Sequence, residues 1–159
     1  MGREINLLIH FLGFGLLVTI NVAGFILNSQ YRKSQDLQTK ATILRAMRPI
    51  GLLSPLAILI QLATGIGNMH FLGLGILDMG WLTAKIIFFA IAAISGILMG
   101  IVARKRGKLI GEMASGKAPA ASEQLLQSYD RQISLSYVVM PILLIIIVWL
   151  SIYGRLGGQ

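Results

Sequence analysis

The amino-acid sequence predicts an all-α fold, an integral membrane four-helix bundle with both termini on the outer, non-cytoplasmic side. Three observations lead there. The chain of 159 residues is 55% hydrophobic and only 13% charged, with a mean hydropathy of +0.77, far from the make-up of a soluble domain. Four apolar runs, near 5–27, 50–71, 79–103 and 133–153, each suffice to cross a bilayer, which takes about 20 helical residues. The basic residues are placed asymmetrically: apart from Arg3, Lys85 and Arg155, every Lys and Arg falls in the polar loops 28–49 and 104–132. The positive-inside rule puts both loops in the cytoplasm, and the expected location is the bacterial inner membrane, with the lipid bilayer as the main partner. A barrel would need many more segments and period-two alternation, which these runs lack.

The first run is too long for a signal-peptide core and is not followed by an A-x-A-like cleavage site, so it is expected to stay as a helix. Loop 28–49 is polar enough to be helical or irregular at the surface, and Pro49 is placed to begin span two. Ser54-Pro55 is expected to bend that span near its start. The connection "GNMHFLGLGILDMG" reads as a tight turn with Asp78 its only charge. In loop 104–132, Gly and Pro interrupt a helical pattern, and Ser122 reads as the N-cap of a helix leading into span four. Pro141 inside that span should kink it.

Each of the first three spans carries one small or polar face. At about 100° per residue, Asn6, His10, Gly13, Leu17, Asn21, Gly24 and Asn28 share a face of span one. Ala57, Gln61, Thr64 and Asn68 share one in span two, and Trp81, Lys85, Ala92, Gly96 and Ala103 one in span three. Small and polar faces pack between helices in a membrane, so the three are expected to converge on a common interior. At 1.5 Å per residue, His10 and Lys85 lie about 7.5 Å below the outer ends of their helices and Gln61 roughly 10 Å. Ionisable groups at that depth mark a site by default.

Composition restricts the chemistry. Cysteine is absent, which removes disulfides, thiolate metal sites and cysteine nucleophiles. No span holds a carboxylate, so neither a paired-carboxylate acid–base mechanism nor an acidic proton relay is expected within the membrane. The net charge of +8 sits in loops rather than on a folded basic face, which argues against a nucleic-acid partner. His10 and His70 alone make a poor zinc or copper site. A histidine facing a groove of small residues suits haem b, whose iron takes an axial imidazole. On that reading His10 is the metal ligand, Gly13 leaves room beside the porphyrin, Gln61 lies in the same layer and Lys85 pairs with a propionate.

The order of features resembles the HemJ-type and CopD-like four-helix membrane proteins: "LLIH" in span one, "RAMRPIGLLSP" and "LATGI" around span two, "WLTAKIIFF" opening span three and "SYDRQ" before span four. The resemblance implies haem b on His10 and, as in HemJ-type proteins, a catalytic Lys85 used in protoporphyrinogen oxidation. The last helix departs from that pattern, with "YDRQISLSYVV" where HemJ-type proteins have Arg-x-x-Asn-Glu. The sequence-based expectation is a haem b protein serving redox chemistry or electron transfer, within a larger membrane complex or a homo-oligomer. Two alternatives stand beside it: a cofactor-free accessory subunit, and a HemJ-like protoporphyrinogen oxidase.

Overall fold

The computed structural model describes residues 2–117 and 119–157. They fold as four helices, α1 (Gly2–Lys33), α2 (Leu37–Leu72), α3 (Gly80–Ala114) and α4 (Ser122–Arg155), joined by short connections. All four are long and apolar enough to cross a membrane, and the protein is a multi-pass, all-helical bundle. Its surface is that of a protein in lipid: Leu52, Leu59 and Ile145 are 71%, 61% and 67% exposed, a pattern that water would not support.

The helices are longer than the apolar runs. At 32 to 36 residues and 1.5 Å per residue, each measures about 50 Å against a hydrocarbon core of about 30 Å. The excess lies at the end that carries the basic residues. Most of what hydropathy reads as loops 28–49 and 104–132 is helix, and the connections there shrink to 34–36 and 115–121. Beyond the apolar runs the helices become amphipathic instead of ending. Tyr31, Leu109, Ile110 and Leu126 form a buried cluster at this end, packed against Leu37, Ala41, Leu44 and Met113.

Local chemistry sets the ends. The Asp36 carboxylate caps α2 by accepting from the Thr39 amide at 2.8 Å and the Thr39 hydroxyl at 2.7 Å. Helix α2 therefore starts at Leu37, and Pro49 lies well inside it rather than opening it. Ser122 is likewise not a cap: it is the first residue of α4, its hydroxyl donates to the Pro119 carbonyl, and the cap position is Ala121. At the opposite end Gly73, at φ 64°, closes α2, its amide bonded to His70 O while the Leu74 amide reaches Met69 O. The following turn is tight, as expected, with Asp78 accepting from the Gly75 amide and the Thr83 hydroxyl donating to Ile76 O at 2.8 Å.

The bundle is two helical hairpins side by side. Helices α1 and α2 pack along each other, as do α3 and α4, while α2 lies against α3 less extensively and α1 touches α4 least.

Candidate functional site

The predicted face of α1 is the buried one: Gly13, Leu17, Gly24 and Asn28 all lie inside, as do Ala57, Gln61 and Thr64 of α2. Toward the termini these two faces meet in a polar seam. Asn6 Nδ2 donates to Asn68 Oδ1 and to the Thr64 carbonyl, both at 2.9 Å. His10 Nδ1 lies 2.8 Å from Thr64 Oγ1, and Gln61 Nε2 donates to the His10 carbonyl at 2.5 Å. The seam is close because two glycines line it. A Cβ on Gly13 would meet the Ile60 methyl and the Gln61 amide, and one on Gly67 would meet the Asn6 amide.

The network assigns the tautomer of His10. The Thr64 hydroxyl gives its proton to the Ile60 carbonyl, so it accepts from His10, and the ring carries its proton on Nδ1. In the neutral ring the lone pair then lies on Nε2, the arrangement a metal-ligating imidazole adopts when its other nitrogen is held by the protein. In donor chemistry and half-buried position, His10 fits an axial ligand of haem. Gly13 and Gln61 do not fit as porphyrin contacts. Ile60 and the Gln61 amide take the space beside Gly13, and the amide is spent on the His10 backbone, so these residues close the α1/α2 seam.

The three faces do not converge on one interior. The small face of α3 packs on α4: Ala92 is buried with Met140, Leu143 and Ile147, and the Met140 methyl sits over Gly96. Trp81 lies flat against Gly154 so closely that a Cβ there would strike the indole. Lys85 is half-buried on α3 one turn beyond Trp81. His70, in the last turn of α2, tilts against Phe71 and is exposed. Among the described residues no group of three or more His, Cys, Asp or Glu is gathered as for a metal ion.

A second polar centre lies at the basic end. Arg106, assigned by hydropathy to a solvated loop, is 1% exposed. Its Nη1 donates to Asn28 Oδ1 at 2.8 Å and to Asp130 Oδ1 at 3.1 Å, and its guanidinium stacks 4.3 Å from the centroid of the Tyr31 ring. Lys40 caps the same ring at 5.3 Å. Side chains of α1 and α4 thus meet around one buried cation of α3, and Lys40 of α2 lies over the ring on which that cation stacks. Among the described residues Arg106 Nε and Nη2 have no hydrogen-bond partner, and the buried Tyr31 hydroxyl faces Asp130. The sequence held a signal for this centre: the α3 face through Lys85, Ala92, Gly96 and Ala103 continues one turn on to Arg106, and Asn28 ends the polar face of α1.

No protein-family model, curated protein or solved structure matches the chain.

Proposed function

We propose that this protein is a membrane haem b protein in which His10 supplies the axial nitrogen through Nε2, serving redox chemistry or electron transfer within a larger membrane assembly. The observation that carries this reading is the hold of Thr64 on His10 Nδ1, which orients the ring as the second partner of a metal-ligating imidazole does. The resemblance of the "LLIH" and "WLTAK" elements to HemJ-type proteins points the same way and adds Lys85 as the partner of a propionate. When bound, haem b supplies a one-electron iron couple. Thr64 fixes the imidazole ring through Nδ1, and the Gln61 amide ties its backbone to α2. The basic end faces the cytoplasm and both termini lie outside, because loops rich in Lys and Arg are retained on the cytoplasmic side.

The deciding experiment is an absorption spectrum of detergent-solubilised protein supplied with haem, oxidised and reduced. A Soret band in the wild type that is lost in His10→Ala is expected. A colourless wild type overturns the reading.

One observation favours a second reading, a cofactor-free accessory subunit: the small residue beside His10 is closed over by Ile60 and Gln61, so the polar face is used up within the hairpin. Co-purification with a membrane complex in colourless form is its expected signature.

A further inference from the structure

The weakest junction of the bundle, between α1 and α4, is an open cleft with two chemically different halves. At the basic end it holds a space of about 620 Å³ bordered by Arg32, Lys40, Gln127, Arg131 and Ser134. Arg32 Nη1 donates to Ser134 Oγ at 3.4 Å across its mouth. The one carboxylate on this wall, Asp130, is already paired with the buried Arg106 at 3.1 Å, so the wall keeps a net positive charge. Directly along the same two helices follows a space of about 690 Å³ with almost wholly apolar walls, among them Val22, Phe25, Tyr137, Pro141 and Ile145. Tyr137 and Phe25 meet edge to face at its near end, with ring centroids 6.2 Å apart.

We infer that this cleft binds one anionic glycerophospholipid, its phosphate held by Arg32, Lys40 and Arg131 and an acyl chain laid along Phe25 and Val22. Charge and length both select this occupant. Basic pockets between membrane helices hold anionic headgroups, and a purely apolar ligand would leave the three cations without use. From Arg32 to Val22 the helix rises about 15 Å, half of a hydrocarbon core of about 30 Å, which is the reach of one acyl chain from the basic-end leaflet. A transmembrane helix of another protein would fill the apolar half and leave the cationic half unanswered.

The test is native mass spectrometry of the purified full chain, titrated with phosphatidylglycerol and with phosphatidylcholine of the same chains. Wild type is expected to retain one phosphatidylglycerol in preference to phosphatidylcholine. Replacing Arg32→Gln together with Arg131→Gln lowers retention of the anionic lipid by about fivefold for each charge removed and leaves the zwitterionic lipid unchanged. Val22→Trp, which fills the tail half without touching a charge, lowers retention of both. Equal retention of the two lipids by wild type, an undiminished preference in the double variant, displacement of the lipid by inorganic phosphate alone, or a stoichiometric protein partner that Val22→Trp expels would each overturn the proposal.

Discussion

The two hairpins solve the same packing problem by opposite means. The α1/α2 seam is polar, with Asn6, His10, Gln61, Thr64 and Asn68 bonded across it. The α3/α4 seam is apolar and built on shape, with Trp81 on Gly154 and Met140 beside Ala92 and Gly96. In lipid, apolar contact with a neighbouring helix is worth little more than contact with an acyl chain, so association rests on close packing and interhelical hydrogen bonds. The first hairpin draws on both, because glycine lets the backbones approach and polar groups then reach across. Along its apolar length the second draws on the fit of large groups against small ones, and its charged contact, Arg106 to Asp130, lies at the basic end.

Arg106 joins the two hairpins, and its loss is expected to have the largest effect. Arg106→Ala leaves Asp130 without its cation and Asn28 without its donor, at a cost of about 3 kcal/mol, read as a lower unfolding temperature in detergent. If the hairpins are separate units, each seam should survive this change, and engineered cysteine pairs across either seam, in a chain with no native cysteine, should still cross-link.

Next come the glycines. Gly154→Ala drives a methyl into the Trp81 ring, and Gly13→Ala drives one into Ile60 and Gln61, each expected to cost about 1–3 kcal/mol by overpacking. The comparison predicts a difference in kind: only Gly13→Ala should also disturb the environment of the His10 ring, visible in its NMR resonances. If Gly154→Ala shifts them equally, the seams are not independent.

Thr64→Val keeps the shape of the polar seam and removes the acceptor for His10 Nδ1. About 0.6–1.7 kcal/mol is expected, the range of single interhelical hydrogen bonds in membranes. Protein that binds haem through His10 should also show a shifted reduction potential in this variant, because the ring loses its fixed tautomer.

The smallest effect concerns the turns. Hydrogen bonds from Thr39 hold the Asp36 carboxyl below its usual range, so the ionised cap stabilises α2 at neutral pH. That contribution is complete above the unfolded carboxylate value of about 4 and is lost as the pH falls through the lower folded value. The turn of the apolar hairpin has no side-chain cap at Ala121 and should not share this acid sensitivity. Hydrogen exchange of the α2 and α4 first turns across the acid range distinguishes them.

Hydropathy alone marks the helix ends near the termini closely, with run 50–71 ending beside Leu72 and run 79–103 opening beside Gly80. It misses the basic-end extensions because a helix leaving the bilayer exchanges its apolar exterior for a polar one, and the run of hydrophobic residues stops while the helix does not. For the same reason Arg106 reads as a loop cation. The polar faces of α1 and α2 are legible as periodic stripes, but a stripe does not name its partner. Helical phase cannot tell that Gly13 faces Ile60 and Gln61 and not open space, or that the α3 face turns to α4.

Composition and periodicity by themselves determined that four helices cross a membrane and which face of α1 and α2 turns inward, because the bilayer excludes unpaired polar groups from its lipid side. The tertiary structure decided the pairing of the faces, the tautomer of His10, the burial of Arg106 and the open α1/α4 cleft. These depend on which residues, far apart in the chain, come within hydrogen-bonding or van der Waals distance, and no local pattern encodes that distance.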